Sequence, residues 1–241
     1  MYTLLQAIYE FRLAVDDLGG DLPDPPSGYS YFWESDDSSA KWKNEELTRF
    51  FNWSRNEISI RLGTEDATTT AIKTIAATSG TRNYALDSRI LTVSDVYWEY
   101  TRLTKSSRRQ EDVDEDWRTT ENTPERYVED DIPGSICLVP VPAADGTISL
   151  RVTRMPLAQI AWTDRTDDLT DPDDHLFLAL IEGMKSRAYR KKDTQTYNEQ
   201  EFMKADTEFA MLVGPPISAA QRAARKYNAN LMMRVRPVKY Y

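Results

Sequence analysis

One cysteine and one histidine in 241 residues leave little for metal or nucleophilic chemistry. A zinc site of the usual kind draws on several such ligands, and a disulfide framework needs cysteines in pairs. Glycine is scarce, at 9, and none falls in the spacing of a Walker loop or a dinucleotide fingerprint. No stretch reaches the ~18 apolar residues that a membrane span needs. The opening MYTLLQAIYEFRLAVDDLGG lacks a basic leader and is broken by Glu10, Arg12 and Asp16, so it does not read as a signal peptide. Charge is what the chain does have: 39 Asp+Glu against 30 Lys+Arg, a formal −9, beside 40% hydrophobic residues. That balance fits one large or two small globular domains and argues against a general nucleic-acid binder. A soluble protein of a reducing compartment is expected, not an enzyme, with no cofactor and no metal.

Leu4, Ile8, Phe11, Val15 and Leu18 recur at helical spacing, so they predict a first helix that Gly19 and Gly20 stop. Residues 19–43 are punctuated by Pro23, Pro25, Pro26 and Gly28 and read as a long loop. It carries Tyr29, Tyr31, Phe32 and Trp33, and two roles fit these rings: pinning the loop to the body, or contact between subunits. A second helix follows in NEELTRFFNWSRNEISIRLG, with Asn44 as its cap, Gly63 as its stop, and Leu47, Phe50, Phe51, Ile58 and Leu62 as its buried face. Residues 65–78 are ambiguous between helix and strand.

Alternation then predicts strands through Tyr84 and Leu86, Leu91 and Val93, and Val96, Trp98 and Tyr100. The change of parity near Ser94 and Asp95 predicts a bulge or a bend. ICLVPVP and TISLRV flank Ala143-Ala144-Asp145-Gly146, which reads as a hairpin whose glycine supplies a positive φ. Pro140 and Pro142 put the first of these strands at an edge or make it leave the sheet there. Cys137 reads as a small buried side chain. Residues 110–131 hold ten acids against Arg118 and Arg126, a net of −8, and read as a solvated loop.

Asp171-Pro172-Asp173-Asp174 marks the start of a third long helix, with Leu176, Phe177, Leu180, Ile181, Met184 and Ala188 on its apolar face. Asn198 and Glu201 open a fourth, which Gly214-Pro215-Pro216 stops, and the pair should form an antiparallel hairpin. Residues 215–241 carry six basic residues and no acid, and have too few apolar residues for a core of their own. This tail is either disordered or an arm that orders on a partner. Arg222, Arg225, Lys226, Arg234 and Arg236, interleaved with Met232, Met233, Tyr240 and Tyr241, suit a protein surface better than bare DNA.

The acids Asp164, Asp167, Asp168, Asp171, Asp173 and Asp174 invite a metal reading, but lack the glycine and terminal glutamate of a calcium loop. A helix cap accounts for half of them. His175 beside them reads as a packed or surface histidine. A hydrolase using an acid pair stays open as a second class of function, and a DNA-binding accessory protein using the tail as a third.

The order of parts resembles the head-to-tail adaptor proteins of tailed bacteriophages, including the tail tubular protein A group. Three stretches carry the resemblance: TSGTRNYALDSRILTVSDVYW, with Asp87 where the family usually has proline; NTPERYVEDDIPGSICLVPVPAADGTISLRV, with Asn122 at a common glycine; and DPDDHLFLALIEGMKSRAYRKKDTQTYNEQEFMKADTEFAMLVG. The resemblance implies a structural virion protein in a ring, typically of twelve copies, beneath the portal. Such a ring extends the DNA channel and carries the tail or nozzle. Its partners would be the portal protein, a nozzle or other tail protein, further copies of itself and, passively, the genomic DNA, with no membrane. It would act in the virion neck after assembly in the host cytoplasm. The expected class is α+β: N-terminal helices over 1–64, an antiparallel β domain over 65–160, a helical hairpin over 161–214, together a helical bundle on a β-sheet domain, and a basic arm over 215–241.

Overall fold

A computed structural model describes residues 2–17, 41–113, 116–169, 173–192 and 196–218. The class is α+β, and the chain divides into two compact units, one of residues 1–64 with 155–217 and one built on 65–154.

The first unit is helical. α1 (Leu4–Ala14) starts on a reciprocal cap, in which the Thr3 hydroxyl accepts from the Gln6 amide and the Gln6 side chain accepts from the Thr3 amide. α2 (Asn44–Leu62), α5 (Phe177–Tyr189) and α6 (Glu199–Val213) share its core, the short α3 (Thr70–Lys73) and α4 (Arg108–Glu111) belonging to the other unit. The apolar spacing read from the sequence is the buried face of α1: Leu4, Ile8 and Phe11 are sealed, with Val15 just beyond the helix. Phe51 and Ile58 of α2, Leu180 and Met184 of α5 and Phe209 of α6 complete the core.

Gly183 sets the distance between three helices. A Cβ on it would collide with Ser54 Oγ of α2 and press on Phe209 of α6. The Ser54 hydroxyl instead donates to the Leu180 carbonyl at 3.0 Å. Along the α5 and α6 contact, the Asn198 amide donates to Tyr189 O and Ser186 Oγ lies 3.2 Å from Asp206. Asn52 of α2 uses both ends of its amide on Ile160, so the chain returning at 158–160 is held as a strand neighbour would hold it.

The second unit carries two β-sheets. In one, β11 (Gly146–Arg154) pairs antiparallel with β4 (Ile90–Trp98), which also pairs with β5 (Thr101–Arg102). The other edge of β11 takes β1 (Thr64–Asp66) and β2 (Thr74–Ala77). The other sheet runs β3 (Asn83–Ala85), β9 (Ser135–Val139), β8 (Arg126–Glu129), β6 (Thr104–Ser106). Val96, Ile148 and Val152 from the first and Tyr127, Ile136 and Leu138 from the second share one core. The strands are mainly antiparallel, but β6 with β8, and β7 (Glu121–Asn122) with β10 (Val141–Pro142), run parallel.

Several expectations are corrected. The stretches flanking residues 143–146 are not a hairpin: β9 and β11 lie in different sheets. Gly146 has no positive φ. Its role is clearance, since a Cβ there would stand 2.6 Å from the Trp98 ring. The 65–78 stretch contains both structures, β1 and β2 flanking the short α3 (Thr70–Lys73). Leu62 and Tyr100 are exposed, because each sits where its element ends. Asn44 is the first helical residue of α2 and not its cap, its side chain being taken by Arg12. α5 begins at Phe177, behind a 3₁₀ turn over Asp174–Leu176, so Asp173 and Asp174 precede the helix instead of capping it. The parity change in β4 is a bulge: Asp95 faces Arg151 and Val93 faces Val152, leaving Ser94 over.

Candidate functional site: two anchored contact segments

The aromatic residues Tyr29, Tyr31, Phe32 and Trp33 lie outside the described residues, as do Arg222, Arg225, Lys226, Met232, Met233, Arg234, Arg236, Tyr240 and Tyr241 of the arm. The structure does describe the points where both segments leave the helical unit.

The first is a closed clamp. Arg12 lies on the inner face of α1, one turn after Ile8, and is wholly buried. Its Nη1 meets Asp17 Oδ2 at 2.8 Å, while its Nη2 donates to Trp42 O at 2.8 Å and to Asn44 Oδ1 at 2.9 Å. Asp17 also accepts from the backbone amides of Lys41 at 2.7 Å and Trp42 at 3.4 Å. Residues 17 and 41, the two ends of the proline-rich stretch, are therefore tied to one buried ion pair. Trp42 seals it, edge-on to Phe11 at 5.5 Å and to Tyr189 at 5.8 Å. Burial, and then the charges of Glu201 and Asp17, push the Tyr189 phenol up. The sequence signal for this clamp was a cation on the apolar face of a helix with an acid five residues on.

The second is the end of α6. Gly214 takes a positive φ of 85° and donates its amide back to Ala210 O, closing the helix. Arg61, near the end of α2, donates to the Gly214 carbonyl at 2.9 Å and stacks over the Phe209 ring at 4.6 Å. The arm thus starts from a fixed point.

The acid run 110–131 is not a plain solvated loop. Trp117 in its middle is buried against Val128, Cys137 and Val139, on the face of β9 turned away from the main core. Arg82 and Arg118 stand over its ring at 5.4 and 4.3 Å. Three of the ten acids have shielded side chains, each facing a cation. Glu129 meets Lys105 at 2.9 Å, Asp131 meets Arg82 at 3.4 Å and Arg108 at 3.7 Å, and Glu111 meets Arg126 at 3.3 Å. A charge count alone hid this, because much of the neutralising charge comes from outside the run.

The described side chains make no catalytic constellation. Burial pushes the Cys137 thiol up to about 11, so it is not a nucleophile at neutral pH. His175 is exposed, 4.0 Å from an equally exposed Asp173. Among the described residues no group of three acids, histidines or cysteines could hold a metal ion, and no helix is long and apolar enough to cross a membrane. Asp66 is a strongly perturbed acid, and the cause is structural. Burial would raise it, but hydrogen bonds from Thr69, Arg154 and Thr68 outweigh burial and hold it far below the usual carboxylate range.

No curated protein matches the chain. The pattern of the SU10 adaptor protein family matches residues 9–235, a span that takes in both anchored segments and almost all of the two units. The chain belongs to the SU10 adaptor protein family, a group of bacteriophage head-to-tail adaptors with a structural role.

Proposed function

We propose that the protein is a ring-forming adaptor of the virion neck, akin to the tail tubular protein A group, built of twelve copies beneath the portal. It extends the DNA channel and is the platform for the tail or nozzle. The match of the adaptor family over residues 9–235 carries this reading. The four helices act as a bundle closed by the α5–α6 hairpin, and the β domain over 65–160 and the arm over 215–241 make the outward contacts.

The two anchored segments support the assignment. A segment that must present Tyr29, Tyr31, Phe32 and Trp33 to a neighbouring subunit gains affinity when its stems are already fixed, because less freedom is lost on contact. The basic arm, starting at Gly214, reaches toward the portal. The body carries −15, which is −9 less the +6 of residues 215–241. An acidic channel wall repels phosphates and lets the duplex slide without sticking. Assembly takes place in the host cytoplasm.

Portal-bearing, DNA-filled heads that lack the protein supply the test. Purified full-length chain should add density below the portal, and a chain truncated at Val213 should fail to. Equal behaviour of the two chains would remove the docking role of the arm. No added density with either would remove the adaptor role.

A further inference from the structure

We propose that in the free chain the basic arm folds back on its own β unit, residues 231–236 pairing as an added strand along the open edge of β4. Any partner that takes the arm must first displace this strand. The pairing goes beyond the adaptor reading and does not depend on it.

On one side β4 is paired with β11 from Ile90 to Trp98. On the other, β5 covers only Tyr97 and Trp98, and the Leu103 amide donates to Val96 O at 2.8 Å. From Leu91 to Asp95 no strand lies along this second side among the described residues. The bulge at Ser94 breaks the edge at one point and leaves Leu91–Val93 regular. An open edge holds a row of amides and carbonyls that only another extended backbone can satisfy together. Left bare, it invites pairing with the wrong chain. The trough beside the edge has mixed walls, Ile90 and Leu91 alongside Ser88 and Thr92. Mixed walls suit a strand, whose backbone is polar and whose side chains alternate.

The arm has a sequence fitted to that place. Met233, Arg234, Val235 and Arg236 alternate apolar and cationic, the period of a strand with one face turned inward. Pro237 follows them. A sheet accommodates proline at an edge, where its missing amide faces out, and a strand added to β4 is itself an edge. Arg234 and Arg236 then lie on the outer face of a body whose charge is −15.

Length and tether select the chain's own arm. It leaves from the fixed point at Gly214, and the stretch from Ser218 to Leu231 extends to about 45 Å. A compact unit of about 100 residues is only about 35 Å across. The tether also keeps the arm at an effective concentration on the order of a millimolar, well above that of a second copy in dilute solution.

The test uses full-length chain, free in solution, with a short bis-maleimide as cross-linker. Ser94→Cys/Val235→Cys should link within one chain, at a yield unchanged by tenfold dilution, while Cys137 is buried and silent. The yield should be at least tenfold above that of Thr207→Cys/Val235→Cys, whose first thiol lies exposed on α6. Equal yield from that control, or links between chains in place of links within them, overturns the pairing. Hydrogen exchange reads the same edge without a cross-linker. Arg234→Pro/Val235→Pro sets one proline on the ladder in either register, because successive residues face opposite sides. Exchange at the outward amides of Leu91–Asp95 should quicken at least tenfold in this variant and stay unchanged in Pro237→Ala. Equal exchange in wild type and the double-proline variant overturns the pairing. None of these outcomes changes the density expected below the portal, so the pairing can fail while the adaptor reading stands.

Discussion

Asp17 in the helical unit and Glu111 in the β unit are equally sealed from solvent and each faces an arginine, yet their surroundings differ. Asp17 is met by a fully buried guanidinium and two backbone amides. Among the described residues neither oxygen of Glu111 receives a hydrogen bond, and its arginine, Arg126, is half exposed. Taking a carboxylate out of water costs several kcal/mol, and donors aimed at its lone pairs offset that cost where a loose ion pair does not. Burial of charge therefore marks a structural joint only where the donors are in place. The helical unit uses such a joint to close the base of the aromatic segment, and the β unit uses acids to neutralise the cations around Trp117.

The largest effect expected from this contrast is at the clamp. Asp17→Ala strands the buried Arg12 and frees the amides of Lys41 and Trp42, a loss of about 3–5 kcal/mol by urea denaturation of the full chain. Proteolysis between residues 17 and 41 should quicken in parallel, since the stems would no longer be tied. Unchanged stability would mean that the clamp is not the joint described.

Next comes Asp66, the β unit's counterpart to Asp17, with its side chain on the buried Arg154. Asp66→Asn should cost about 1.5–3 kcal/mol, the range for a hydrogen bond to a charged group. The folded carboxyl titrates below its unfolded value, so its contribution is complete above about pH 4 and is lost as the pH falls further. Wild type should weaken more steeply than Asp66→Asn below about pH 4. Parallel acid curves would show that another group carries the acid response.

Gly146→Ala tests the reassignment of this residue from turn glycine to clearance. A methyl 2.6 Å from Trp98 should cost about 1–3 kcal/mol, as overpacking does, although the backbone there needs no positive φ. No loss in a thermal melt would mean that the ring moves aside freely.

These cases show why parts of the molecule were legible in sequence. Periodicity reports which face an element buries, so the buried side of α1 and the irregularity at Ser94 could be read directly. Pairing between strands distant in sequence leaves no such mark: ICLV and TISLRV looked like neighbours across a turn, and only the sheets reveal that they part at Pro140. Charge counting failed for a related reason, since the cations Arg82 and Lys105 that neutralise Asp131 and Glu129 come from elsewhere in the chain. Family membership, by contrast, was visible in the order of three stretches. The residues proposed for contact, Tyr29 to Trp33 and the arm, could be named from composition, but their anchors Arg12, Asp17 and Arg61 needed coordinates.

The smallest effect is the one that decides the comparison. Glu111→Gln removes a buried charge without changing the volume of the side chain. Arg126 is left half in water, where a lone guanidinium costs little, and no strong hydrogen bond is given up. Loss of the ion pair and relief of the desolvated carboxylate should nearly cancel, leaving stability within about 0.5–1 kcal/mol of wild type. A loss near that of Asp17→Ala would show that the Arg126 pair alone sustains a buried carboxylate, and would erase the distinction between the two units. A small gain would sharpen it. Glu111 would then be kept at a cost to stability, and its role would lie in the charge it adds beneath the acidic run.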